Sequence, residues 1–469
     1  MTPRRLSWLL VLTLTATLGW FITRIPIQLT DGASNMVSVA DSGPWEIFLG
    51  KMDNAGFFRP LMWPPYVIVM NLSRGAYFAW FKTIHVAQVL VLFALFLRWL
   101  RVETAVDAAA FVFGLAVLVG GHTFPGTVRE AFPINHFLAI AICVLGTAVL
   151  ATERHRRLND VAGVLLFLYA ALTIESGLLV WVAAVAAAVL GSRGLSRGAL
   201  ALMTAGVVAY LAVRFGWFHN GTPGLTERGS GFGFAMLDVD TIQQRFGDRP
   251  LVFYASNVGA ALLSMLTAEP RGGVFYVVRG FVQGPREAWA ELNVLCATGA
   301  SLLVGCAMVM RRRAWRDGPT HHDRILAMAP VLVAANAVFC YAYMKDVILS
   351  VGGVFVAAAA AAAMREVLIR AGRETWQATS ALVAVAVVVL SSVWAIKVVG
   401  IHYSIRKEAI AVRREWAFVD EWAARSEMEL TSPAKQRLKR ALEVDALSKM
   451  PVAPWPELPL PPEWFDETQ

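Results

Sequence analysis

Charge is what this chain has least of. Only 16% of its 469 residues are Asp, Glu, Lys or Arg and 57% are apolar, against about 25% and 45–50% in an ordinary soluble domain, which excludes a single water-soluble globule. The scarcity is uneven: residues 401–469 hold 22 of the 76 charged residues, so the first 400 read as membrane. A surplus of +8 does not point to nucleic acid, because most basic residues stand in short clusters between apolar runs, where they orient spans in a bilayer. Cysteine is scarce as well. Cys143, Cys296, Cys306 and Cys340 all lie inside apolar runs without metal-ligand spacing and read as small core residues. A phosphate-binding GxxxxGK[ST] loop, HExxH and CxxC are all missing, and the eight histidines form no ligand cluster.

What is present is a series of long apolar runs. A span needs about 20 mostly apolar residues, and eleven stretches qualify: roughly 6–24, 83–100, 105–121, 134–152, 160–174, 177–191, 198–216, 290–310, 325–343, 347–369 and 378–400. The first has Arg4 and Arg5 before it and no small-residue cleavage site after it, so it is expected to stay as an uncleaved span. The arginines at 98/101, 154–157, 193/197, 311–316 and 370/373 fall at alternate turns and place the N-terminus in the cytoplasm. Leu251–Ala268 is long enough to cross but carries Tyr254, Ser256, Asn257 and Ser264. We expect it to be re-entrant or interfacial; a twelfth crossing would invert everything after it. The resulting expectation is an all-α polytopic helix bundle over residues 1–400 of about 11 (alternatively 12) transmembrane helices. It has a long first outer loop (25–82), a further outer loop (217–289), and a charged, Pro-rich, partly helical C-terminal tail (401–469).

The polar residues worth singling out collect in the outer loops. The first holds Asp31, Asp41, Glu46 and Asp53 and ends in Phe57-Phe58-Arg59-Pro60-Leu61; at about 58 residues it is far longer than a plain connection. The second runs from His122 through Pro125, Arg129 and Glu130 to Asn135, and its plain reading is an Arg129–Glu130 surface pair. Glu175 interrupts an apolar stretch from Leu165 to Leu190; burying an ionisable residue near bilayer depth costs about 2.5–3.5 kcal/mol, so one found there reads by default as functional. Lys345-Asp346 reads as a tight outer turn. Gly229–Gly233 reads as a flexible outer loop, and Asp238-Val239-Asp240, whose Asp240 precedes Gln243 by three residues, as a helix cap.

At these residues the sequence resembles the GT-C superfamily, the multi-spanning glycosyltransferases that use lipid-linked sugar donors. The likeness is nearest to the bacterial relatives of the tetratricopeptide-associated transmembrane mannosyltransferases. Asp31 after the first span, Phe57-Phe58-Arg59-Pro60-Leu61 before the second, Gly75 with His85, the His122/Pro125/Glu130 loop and Glu175-Ser176-Gly177 follow the family's order over about residues 1–220. The resemblance implies a GT-C fold and transfer of a sugar from a polyprenyl-phosphate donor to a glycan, lipid or protein acceptor at the periplasmic face of a bacterial inner membrane. Asp31, Glu130 and Glu175 would be catalytic. Arg59, Arg129 and Lys345 would bind the donor phosphate, with His122, Asp53 and Asp346 as further candidates and a divalent metal left open. The family's paired acids are here Asp31-Gly32, and its lysine before the glutamate is here Ile174. An inactive GT-C-like scaffold therefore stays open, as does a transporter or lipid-translocating protein.

Overall fold

Each of the eleven apolar runs forms a helix, most of them within a few residues of the expected ends; the second begins six residues early, at Tyr77, and the last, expected to end near residue 400, continues to Trp416. The computed structural model describes residues 1–50, 52–54, 57–129, 134–218, 230–232, 235–269, 273–284, 287–372, 377–425, 430 and 432–448. The helices that build the bundle are α1 (Pro3–Ile22), α2 (Pro64–Ser73), α3 (Tyr77–Leu100), α4 (Ala105–Gly120), α5 (His136–Thr152), α6 (Arg157–Thr173), α7 (Leu179–Val189), α8 (Arg197–Leu211), α9 (Pro250–Thr267), α10 (Val274–Gln283), α11 (Ala288–Arg311), α12 (His321–Val338), α13 (Ser350–Ala371), α14 (Gln377–Trp416) and α15 (Pro433–Ser448). Among the described residues, seven helices are long and apolar enough to cross a membrane, and shorter apolar helices accompany them. The chain is thus an all-α, multi-pass membrane helix bundle. Its only strands among the described residues are two small antiparallel hairpins, Asp53–Asn54 with Phe57–Phe58 and Ser230–Phe232 with Ala235–Leu237.

The core is organised around α13. Ala357 to Ala363 are no more than 2% exposed, and α13 packs along α4, α11 and α12. Small residues permit this closeness: a Cβ on Gly114 of α4 would lie 2.6 Å from the Ala361 Cβ and 3.1 Å from the Ala357 carbonyl oxygen. Between lipid-solvated helices there is little hydrophobic drive to associate, so close van der Waals approach of small residues supplies the adhesion.

Contacts sort the helix ends onto two faces. At one, Arg98 pairs with Glu153 at 2.7 Å, Arg101 donates to the Thr152 carbonyl, and Arg311 pairs with Asp323 at 2.8 Å. At the other lie Glu175, the His122 turn, Tyr341 and Trp416, whose indole N–H donates to the Ile27 carbonyl at 2.7 Å. The C-terminal part belongs to this second face, since Ser432 donates to Asp41 at 2.8 Å and α15 lies against the start of α3. At 40 residues, α14 is about 60 Å long, twice the roughly 30 Å hydrocarbon core, so its charged second half stands clear of the apolar belt.

The stretch around Leu251–Ala268 can be followed by the same sorting. The chain leaves α8 at the Glu175 face, because Arg214 touches Glu175, and enters α11 there, because α11 ends at Arg311 on the opposite face. In between, α9 meets Tyr341 through Tyr254 and Asn257, and Ser264 meets His122 at 2.7 Å. Its far end reaches Ser301, near the middle of α11, where Ala268 turns the backbone through a left-handed conformation (φ 60°). The chain then returns along the ten-residue α10, whose Tyr276 donates to Glu287 at the start of α11. At about 15 Å, α10 is too short to cross. The acidic pair nearby is a helix cap, although the capping residue is Asp238 rather than Asp240: its carboxylate accepts from the Thr241 N–H at 2.7 Å. Ser230–Phe232, expected in a loose glycine loop, is one arm of a hairpin.

Candidate functional site

Glu175 opens a 3₁₀ turn, Glu175–Leu178, that links α6 to α7 as a tight hairpin. The hairpin needs Gly177, since a Cβ there would run into the Ala170 carbonyl. The loop after the first small hairpin is tied to the same corner: the Leu61 N–H donates to the Leu172 carbonyl at 2.9 Å, and this brings Arg59 over Glu175. Arg59 donates through Nη2 at 2.7 Å and Nε at 3.2 Å, a forked, charge-assisted geometry, and its guanidinium lies 3.9 Å from the Phe57 ring centroid.

A second guanidinium completes the cluster. Arg214, in the π-helical turn Ala212–Trp217 that continues α8, stands 3.5 Å from Glu175 and donates to the Tyr210 hydroxyl at 3.4 Å. Its side chain is 6% exposed and that of Glu175 15%. A carboxylate this enclosed is tolerable because two cations and several N–H donors replace water.

These residues line a cavity of about 450 Å³. Its lining includes polar side chains, Arg59, Glu175, Arg214, Tyr210, Tyr341 and Lys345, and apolar ones, among them Leu211, Phe215, Phe339 and Ile348. Three cations therefore face one carboxylate among the described lining residues. His136, the first residue of α5, also lines the cavity; it is 3% exposed and neither ring nitrogen has a hydrogen-bond partner. Its ring lies 5.3 Å from that of Tyr66.

Of the residues expected from sequence, Arg59, Glu175 and Lys345 meet in this cavity, with Arg59 and Glu175 paired to each other rather than acting at separate points. The others named from the loops go elsewhere. His122 bonds Ser264, Arg129 donates to Ser404 on α14, and Asp346 is buried in the turn before α13 without lining the cavity. Glu130 lies outside the described residues, as do the side chains of Asp31 and Asp53; the Asp31 backbone belongs to the helical turn Leu29–Ala33 at the same face. Asn35, one turn further on, lines the cavity. Sequence reading passed over Arg214, Tyr210, His136 and Tyr341. For Arg214 a signal existed, a lone arginine at the end of the apolar run 198–216; for the other three there was none, as each looks like an ordinary span-end residue. Among the described residues no group of three His, Cys, Asp or Glu side chains converges to hold a metal. No known protein family, characterised protein or solved structure matches the chain.

Proposed function

We propose that the protein is an integral-membrane glycosyltransferase of GT-C type, which moves a sugar from a polyprenyl-phosphate donor to an acceptor hydroxyl. One observation supports this reading: a cavity at the helix ends is lined by the Arg59 and Arg214 guanidiniums around Glu175 and by apolar side chains such as Leu211, Phe215 and Phe339, which suits an amphiphile with an anionic head and a lipid tail. The cluster's position at helix ends rather than mid-bundle favours chemistry at an interface over passage through the bilayer.

In this reading a carboxylate takes the proton of the acceptor hydroxyl as its oxygen attacks the anomeric carbon. The bond from that carbon to the phosphate oxygen breaks, and the polyprenyl phosphate leaves with the electron pair. Arg214 and Lys345, with Arg59, stabilise the growing negative charge. Glu175 already accepts from Arg59 and pairs with Arg214 and is a poor base; it positions both guanidiniums. Asp31 is the preferred base, with Glu130 next.

Eleven crossings with the N-terminus in the cytoplasm agree with the arginines at the face opposite Glu175, and the cavity and the tail then lie on the periplasmic side. Single cysteines at Thr320 and Ser432 test this in intact cells: Ser432→Cys is expected to label at once and Thr320→Cys only after permeabilisation, and the reverse pattern overturns the assignment. For the chemistry, purified protein is given a radiolabelled polyprenyl-phosphate sugar. Asp31→Asn is expected to slow transfer about 10²–10⁴-fold with the fold intact. Wild-type turnover in that variant removes the base assignment. Movement of the donor lipid between leaflets without sugar transfer would replace the enzyme reading with the transporter one.

A further inference from the structure

At the face opposite Glu175, two turns are fastened together. The turn between α7 and α8 lies against the one between α5 and α6: the Gly194 N–H donates to the Ala151 carbonyl at 2.9 Å, Asn159 donates to the carbonyls of Gly194 and Arg154, and the Ser196 N–H donates to Asp160 at 2.8 Å. Gly194 fits only without a side chain, since a Cβ would collide with the Leu150 carbonyl. This fixed double turn presents Arg154, Arg156, Arg157, Arg193 and Arg197, all exposed. None of the five takes part in an ion pair or hydrogen bond through its side chain. The acids at hand are engaged: Glu153 pairs with Arg98, and Asp160 holds His155 and the Ser196 N–H.

Elsewhere on this face Arg311, Arg365 and Arg370 each pair with a carboxylate, Asp323, Asp107 and Glu366. Arg4, Arg5, Arg312 and Arg313 are exposed and unpaired there as well, and what sets the five apart is their gathering on one fixed double turn. Their height is fixed by what adjoins them. Beginning beside Arg157, α6 exposes Leu158, Val161, Leu165 and Leu168, a stripe at helical spacing, and Val189 and Leu202 are exposed on α7 and α8. Apolar side chains exposed along neighbouring helices face lipid tails, so the arginines at their ends lie at headgroup level.

We infer that the Arg154/Arg156/Arg157/Arg193/Arg197 platform is a binding surface for the phosphate headgroups of anionic lipid, of the phosphatidylglycerol class, in the leaflet opposite the Glu175 cavity. Guanidinium forks match phosphate oxygens two at a time, and the low-dielectric stripe beside them accommodates the same lipid's tails. The surface is independent of the glycosyltransferase reading, because it rests on neither the cavity nor the direction of insertion.

The test uses the detergent-purified full chain, titrated with phosphatidylglycerol and with phosphatidylcholine of identical acyl chains, and counts retained lipid by native mass spectrometry. Wild type is expected to prefer phosphatidylglycerol by at least about tenfold, and about 1 M salt, which shortens screening to roughly 3 Å, is expected to remove most of the preference. In the variant with all five arginines changed to Gln the preference is expected to fall below about twofold. Asp107→Asn with Arg365→Gln, which removes a paired arginine at the same face, is expected to leave it unchanged. Equal retention of the two lipids by wild type overturns the inference with no variant needed, so a glutamine variant that fails to fold does not remove the test. An undiminished preference in a folded glutamine variant, or an equal loss in the Asp107/Arg365 control, also overturns it. Inorganic phosphate or a short RNA bound as tightly at matched charge concentration would assign the surface to a soluble anion instead.

Discussion

The two ends of the bundle use the same side chains to opposite effect. At the Arg311 end a cavity of about 690 Å³ is lined by four arginines and four carboxylates, and Asp107 and Asp323 each serve twice, as a helix-capping acid and as an arginine's partner. Charge there closes on itself and ties α4, α11, α12 and α13 together. At the Glu175 end Arg59 and Arg214 converge on Glu175 with Lys345 also lining the cavity, and neither ring nitrogen of His136 has a hydrogen-bond partner. Where numbers match, charge holds helices in place. At the Glu175 end the paired charges instead border a cavity that is partly apolar.

The comparison breaks first if Glu175 is dispensable. Glu175→Ala strands two enclosed guanidiniums, and its expected cost is about 3–5 kcal/mol, read from thermal unfolding in detergent; a loss under about 1 kcal/mol would show that the cluster is solvated and not distinct. Asp323→Asn is expected to cost about 2–3 kcal/mol, since it removes the forked bond to Arg311 and weakens a cap, while donor binding stays at the wild-type level. Arg214→Gln reverses that pattern. Stability should change by about 1–2 kcal/mol, but the donor's Kd should rise at least about tenfold, or roughly 1.4 kcal/mol, and an unchanged Kd by isothermal titration would remove Arg214 from the donor site. The smallest effect is expected for Tyr210→Phe, about 1 kcal/mol of stability; a larger effect on Kd than that of Arg214→Gln would mean that the hydroxyl, and not the guanidinium, reads the ligand.

Much of the fold could be read in one dimension, because the length of an apolar run is a property of consecutive residues. That is why α1, α4 and α11 fall within a few residues of the expected spans. Depth is not such a property. Leu251–Ala268 has the length of a span, and only its contacts with Tyr341, His122 and Ser301 show which neighbours it lies against. The site was partly legible for the same reason. Glu175 and Arg59 stand out against apolar surroundings, yet their pairing joins residues 116 apart and depends on the Leu61–Leu172 hydrogen bond. His122 and Arg129 look like site residues in the sequence because they share a loop with Glu130, but neighbours along a turn at a helix end point in different directions, one toward α9 and the other toward α14.

The hydrogen bond from Trp416 to Ile27 has a consequence for how the molecule is made. It joins positions 389 residues apart, and Ser432 reaches Asp41 across 391. At about 5–20 residues per second of synthesis, the first outer loop waits roughly 20–80 s after emerging before its last partners exist. Throughout that interval the loop that carries Asp31 is attached to a growing chain with its lining incomplete, so the Glu175 face is the last part of the protein to be finished, and truncation after α13 would yield a bundle already inserted but never sealed at that end.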